Sequence, residues 1–135
     1  MAVYMGNDAS VTINSVDLSD HVAQVSFTET SAELESTAMG DSNVTRIGGL
    51  KDGSVTIEFH ADFAASEVYA TINPLLGTTT TVLVVPVSGS VSATNPSKSV
   101  SALVTDVPFV DHAVGDLATV SVTWPFSGAV TTATA

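Results

Sequence analysis

The chain has 135 residues, 44% hydrophobic and only 13% charged, which suffices for one domain with its own core. Fourteen acids against three bases give a net charge of −11, which argues against binding nucleic acid through phosphate contacts and against docking on an anionic membrane. The absence of cysteine excludes disulfides, thiolate–metal sites and thiol nucleophiles.

The chain reads as a single β domain over residues 1–135. Residues 1–9 form an N-terminal arm with no basic lead and too short an apolar run for a secretory signal. No stretch has the apolar length that spans a bilayer. Ser10–Asn14 places Val11 and Ile13 on one face of a short first strand, and Asn14–Asp20 is a turn whose Asn, Asp and Ser can bond their own backbone. His21–Thr30 alternates as a second strand with Ala23, Val25 and Phe27 together.

Ser31–Lys51, SAELESTAMGDSNVTRIGGLK, lacks a sustained period of two and reads as a long connection. It carries Glu33, Glu35 and Asp41 together with Arg46 and Lys51, two of the three cations in the chain. Gly48–Gly49 permits backbone angles closed to other residues. A connection this long is uncommon in a compact domain unless it has a task. Covering a site and plain mobility are two possibilities; gripping a neighbouring copy is the reading preferred here. The expected contact residues are Glu33, Glu35, Met39, Asp41, Arg46 and Lys51.

Gly53–Asp62 is the clearest strand, with Val55, Ile57 and Phe59 opposed to Thr56, Glu58 and His60. Over Asp62–Leu76 the period changes. Ala65, Val68, Tyr69, Ile72, Leu75 and Leu76 recur at helical spacing, Asp62 is a good N-cap, and Pro74 should break the last turn. Thr79–Pro86 is an almost continuous apolar strand with both faces expected to be buried. Val87–Ser97 is a loop, Lys98–Val107 a strand and Pro108–Gly115 a turn. Asp116–Pro125 is the last strand, aligning Ala118, Val120, Val122 and Trp124, and residues 126–135 form an extended or frayed tail. The fold class is mainly β: an antiparallel β-sandwich or open barrel with one packed α-helix and a long loop between strands two and three.

Catalysis has little support. Each histidine has a nearby acid, as Asp20–His21, His60–Asp62 and Asp111–His112, but no nucleophile elbow is present. Asp41–Asn43 and the spaced Asp106, Asp111 and Asp116 lack the calcium-loop pattern and read as solvated turn acids. No catalytic residue, metal or cofactor is therefore expected. Trp124, on an alternating strand, reads as core.

Several motifs occur in a characteristic order: INSVDLS (13–19), TAMGD (37–41), RIGGLKD (46–52) leading into the long strand, DFAA (62–65), PLLGT (74–78), SATNP (92–96) and VGDLATVSVTWP (114–125). This order resembles the tail tube proteins of long-tailed bacteriophages. The resemblance implies a β-sandwich protomer that forms six-membered rings stacked into a hollow tube. DNA would pass through without specific binding, along an acidic wall that repels phosphate. It further implies other tail proteins at the tube ends, no membrane, and a place in the virion tail after assembly in the host cytoplasm. Ser31–Lys51 would be the segment that reaches a neighbouring protomer. The alternatives are a capsid decoration or other virion-surface protein on an Ig-like sandwich and, further off, a small hydrolase or sugar-binding domain.

Overall fold

Alternation decides which way each side chain of this molecule points, and the inward set of each strand marks out the core. The computed structural model describes residues 6, 8–110 and 113–135. Its strands are β1 (Ser10–Ile13), β2 (Val16–Asp17), β3 (Val22–Glu35), β4 (Arg46–His60), β5 (Thr79–Val85), β6 (Ser97–Leu103), β7 (Thr119–Pro125) and β8 (Thr131–Ala133). One helix, α1 (Val68–Ile72), stands between β4 and β5. One sheet has the order β2-β1-β5-β6-β8 and the other β3-β4-β7. Every pairing is antiparallel, so the fold is an antiparallel β-sandwich.

The core forms where the two sheets turn their apolar faces on each other. Val55, Ile57 and Phe59 of β4 stand opposite Trp124, Val122 and Val120 of β7 in register, and all six are buried. Val11, Ile13, Val82 and Ala102 meet them from the other sheet, and Val68 and Ile72 of α1 join the same cluster. Trp124 is fully buried, and its Nε1 donates to the Asp106 carbonyl at 3.1 Å, which satisfies the one polar atom of its ring. The core assignments made from alternation hold for these strands and for Trp124.

The two sheets are joined at one corner. After β7 the chain crosses over: Phe126 N donates to the Gly53 carbonyl at 3.0 Å and Ser127 N to the Ser101 carbonyl at 2.7 Å. The tail then pairs as β8 with β6, so residues 131–133 are held by a ladder and do not fray. The Phe126 ring packs on Phe27 with centroids 4.9 Å apart. Between β1 and β2, Asn14 and Ser15 both have positive φ, 51° and 66°. This is the two-residue turn whose twist suits a tight hairpin.

Five sequence expectations need correction. The helix is five residues long, Val68–Ile72, followed by a 3-10 turn at Asn73–Leu75. Asp62 is not its N-cap; the carboxylate accepts from Ala64 N at 2.9 Å and caps a turn ahead of the helix. The helical spacing was real only where Val68 and Ile72 reach the core. Ala23 does not share a face with Val25 and Phe27, because the β3–β4 register shifts between Val22 and Gln24 and a bulge reverses the alternation. β5 is not buried on both faces, since Thr79 and Thr81 are exposed. Finally, the long connection is mostly strand: β3 continues to Glu35 and β4 begins at Arg46, leaving only residues 36–45 as connection. The missing period of two has a physical cause. A second register shift falls between Ser31 and Glu33, and no core lies beneath this half of the ladder to demand apolar residues on one side.

Gly53 sits at the sheet-joining corner, and only a residue without a side chain fits there. A Cβ at this position would lie 2.2 Å from the Thr28 carbonyl oxygen and 2.7 Å from the Phe126 ring. Gly53→Ala should therefore cost about 1–3 kcal/mol of stability in urea unfolding, the usual range for overpacking. Gly48→Ala, whose methyl would meet only the Ser31 hydroxyl at 3.3 Å, should cost much less. Equal losses in the two variants would contradict the corner packing.

Candidate functional site

The candidate site is the half of the β3–β4 hairpin that runs past the core. From Thr28 to Asp52 the residues are exposed, apart from a half-buried Gly49. The eight β3 residues from Thr28 to Glu35 extend roughly 25 Å at the rise of an extended strand. The ladder nevertheless continues, pairing Glu29 with Gly53, Ser31 with Lys51, Leu34 with Ile47 and Glu35 with Arg46.

The arm has two unlike faces. Leu34 and Ile47 are a cross-strand pair and share one face, 50% and 58% exposed. Glu35 and Arg46 are the next pair and take the other face, where Arg46 Nε meets Glu33 Oε1 at 2.5 Å. Leu50, 88% exposed, Val44 and Met39 add to the apolar surface. Isolated exposed leucines are ordinary, but apolar residues gathered on one projecting arm mark an interaction surface.

The tip is built rather than loose. Ser36 N donates to the Thr45 carbonyl at 2.8 Å and Thr45 N to Thr37 Oγ1 at 2.9 Å. Ala38 N donates to Asp41 Oδ2 at 2.7 Å, and Gly40 takes the left-handed angle the turn needs, φ 96°. Met39 projects from the apex of this turn, fully exposed.

The six residues singled out in the sequence therefore fall into different roles. Arg46 and Glu33 satisfy each other within the arm, and Asp41 shapes the tip. Glu35 and Met39 are exposed, and Lys51 has no ion-pair partner among the described residues. The sequence reading missed Leu34, Val44, Ile47 and Leu50. Their signal was present in SAELE (31–35), where Ala32 and Leu34 alternate with Ser31, Glu33 and Glu35. The third cation, Lys98 of β6, pairs with Glu29 and ties the root of the arm to the opposite sheet.

A second cluster closes the root of the hairpin. His21 precedes β3 and Asp62 follows β4. His21 Nε2 lies 2.8 Å from Asp62 Oδ2, while Nδ1 lies 2.8 Å from Asp20 Oδ1 and 3.4 Å from Glu67 Oε2. A carboxylate at each ring nitrogen is the environment of an imidazolium, which donates from both. Partial burial pushes the His21 pKa down, but the hydrogen bonds to Asp20 and Asp62 and the charges of Asp20 and Glu67 outweigh it, and the net shift is upward. The Asp62 pKa is lowered, first by the bond from Ala64 N and then by His21. Asp20, His21 and Glu67 are also near enough to share a metal ion, yet each ring nitrogen already has a carboxylate within hydrogen-bond distance.

The other sequence candidates do not converge. Asp62 serves His21 rather than His60, whose Nδ1 is buried without a hydrogen-bond partner among the described residues. Asp111 and His112 lie outside the described residues, as does most of the N-terminal arm. An open groove of about 590 Å³ follows the free side of β3, lined by Val22, Val25, Phe27, Val84 and Pro86, with Ser19 and Gln24 as its polar side chains.

No protein-family model and no curated protein sequence matches the chain. Solved structures do match. A chain from the virion of a native gene transfer agent particle superposes with a TM-score of 0.76 at 9% identity, covering 96% of this chain and 98% of that one. A chain from the tail of an empty gene transfer agent particle with C6 symmetry gives 0.72 at 14% identity, covering 98% and 100%. A chain from the sheath–tube complex of an extracellular contractile injection system in its extended state gives 0.70 at 15% identity, covering 98% and 93%. The fold is shared with these chains over its whole length. At such low identity the likeness lies in the architecture, as the sequence resemblance had implied for fold.

The root cluster predicts a pH dependence. The raised His21 pKa stabilises the fold fully below the unfolded imidazole value of about 6.5, and that contribution disappears as pH rises through the higher folded value. The lowered Asp62 pKa acts in the opposite sense, stabilising above about 3.9 and failing as pH falls through its lower folded value. Melting of the wild type should therefore be higher near pH 5.5 than near pH 8.5, by a margin that His21→Gln removes. An identical pH profile in the variant would show that the cluster has no energetic role.

Proposed function

We propose that this chain is a structural tail tube protein that completes its burial by docking on copies of itself. The observation that carries the reading is the projecting arm. It is a paired ladder with one register shift, an apolar face and a pinned tip, continuing past the point where the chain's own core ends. A hairpin with one unburied apolar face gains little by itself and gains much when a second surface covers Leu34 and Ile47. Support comes from the shared architecture: the similar chains include one from a tail with C6 symmetry and one from a sheath–tube complex.

In this reading six copies form a ring, rings stack into a hollow tube, and further tail proteins close its ends. The excess of acids leaves an inner wall that repels DNA phosphate, so DNA slides through without binding. The protein works in the virion tail, is assembled in the host cytoplasm, and needs no membrane, cofactor or catalytic group. Glu33, Glu35, Met39, Asp41, Arg46 and Lys51 then belong to the arm that meets the neighbouring copy. In that arm Glu33, Arg46 and Asp41 keep its shape, and Leu34 and Ile47 provide the buried area. A decoration protein on the same sandwich would bind a shell lattice and leave purified copies apart.

The test is direct. Leu34→Asp combined with Ile47→Asp places charges on the apolar face without touching the core. The double variant should melt within a few degrees of the wild type, since substitutions at exposed sites usually change stability by less than about 0.5 kcal/mol. Negative-stain microscopy should show hollow polymers for the wild type and none for the variant. Wild-type protein that stays monomeric at high concentration would exclude the tube.

A further inference from the structure

We propose that residues 1–5, Met1, Ala2, Val3, Tyr4 and Met5, seat in the open groove beside β3 of the same copy and pair with the free edge of that strand. These five lie outside the described residues. The inference is independent of the self-assembly reading and concerns the N-terminal arm, which that reading does not use.

The groove is a gap in the sandwich. β3 is an edge strand, with β4 on one side and no strand on the other among the described residues. Val22, Val25 and Phe27 of β3 and Val84 of β5 line the groove. All four are half-buried and pack against the core cluster. They come from opposite sheets, so the groove runs between the sheets and opens the core to solvent along one side. Its volume of about 590 Å³ is in the range that encloses a small organic molecule or a few side chains. No charged side chain lines it. An occupant that fits is apolar, and one that is also extended satisfies the backbone groups that an edge strand presents.

Three observations select residues 1–5. The first is attachment. Gly6 and Ala9 are themselves part of the groove wall. The Asp8 carbonyl accepts from Ser88 N at 2.7 Å, just beyond the β1–β5 ladder, in which Ser10 pairs with Val85. The chain is thereby fixed beside the groove, and the five residues before Gly6 start from its wall. A segment tethered this closely meets the surface at an effective concentration of roughly millimolar, above that of a partner free in dilute solution.

The second is chemistry. Residues 1–5 carry no charged side chain, and the first in the chain is Asp8, which does not line the groove. Burying Val3, Tyr4 and the methionines therefore strips no side-chain ion of its hydration, and the apolar area removed from water stabilises the closed form. Methionine also adapts its shape to irregular gaps.

The third is length. Five extended residues reach roughly 17 Å, and the six residues from Val22 to Phe27 span roughly 20 Å. The segment is long enough to cover most of the core half of β3 and too short to run on along the arm. An open edge beside apolar side chains invites unplanned pairing. The segment closes that edge in the free chain.

Amide hydrogen exchange tests the seat, read by NMR over a concentration range that begins where sedimentation shows single chains. The β3 amides between Val22 and Phe27 that do not bond β4 should exchange about tenfold faster in the variant Val3→Asp with Tyr4→Asp than in the wild type. The β7 amides from Val120 to Trp124 should exchange alike in both. Rapid exchange of the β3 amides in the wild type would overturn the seat. Equal protection in the two chains would mean that another element covers the edge, and would overturn it too. Protection that appears only at concentrations where chains associate would put a second copy in the groove, against the assignment to the same copy. If the aspartates loosen both strands, a chain that starts at Gly6 replaces the variant. It must show the loss at β3 alone, or the seat is overturned. None of these outcomes depends on whether the protein forms tubes.

Discussion

One strand sets the terms for the rest of the molecule. β4 is long enough to serve two environments, and its halves are built for different partners. From Gly53 to His60 its odd-numbered side chains enter the core against β7, in register with Trp124, Val122 and Val120. From Arg46 to Asp52 it has only β3 beside it, because β7 ends at Pro125 opposite Ser54. A two-stranded ribbon without a third strand or an opposing sheet is marginal in water. The arm therefore depends on the rigidity passed along the ladder from the core half, on its pinned tip, and on whatever covers Leu34 and Ile47.

The root of the arm is held from two directions. Phe126 packs beside Phe27 where the chain crosses between sheets. Lys98 reaches Glu29 from the opposite sheet. Each contact is modest, and exposed ion pairs are worth little singly. Their placement matters more than their strength. They lie where a projecting ribbon would hinge, so they fix its direction relative to the sandwich. An arm aimed in one direction loses less conformational freedom when it docks.

Legibility in the sequence followed the core. Wherever a strand has one face buried, as at Val55–Ile57–Phe59 or Val120–Val122–Trp124, alternation identified both strand and inward face. Where burial was absent the signal weakened. The arm read as a connection because apolar residues alternate only briefly at Ala32 and Leu34, and a register shift then interrupts the pattern near Gly49 and Leu50. The helix was over-read for the complementary reason. Its apolar spacing ran from Ala65 to Leu76, yet only Val68 and Ile72 are fully buried, and Pro74 converts the end into a 3-10 turn. The His21–Asp62 pair joins residues 41 positions apart, and no local pattern encodes that meeting. The order of short motifs led to the right architecture even though several element bounds were wrong.

The charge of the chain turns this geometry into a constraint on assembly. At −11 each copy repels the next, and at ordinary ionic strength that repulsion is screened beyond about 8–10 Å. Only contacts that bring apolar surfaces together inside that distance can overcome it. The exposed apolar face of the arm is such a surface. In the proposed hollow stack the net negative charge of the copies would repel a passing polyanion. The low content of charged residues leaves apolar and hydroxyl surface for contact between copies, and the imbalance among the charges sets the repulsion that such contact must overcome.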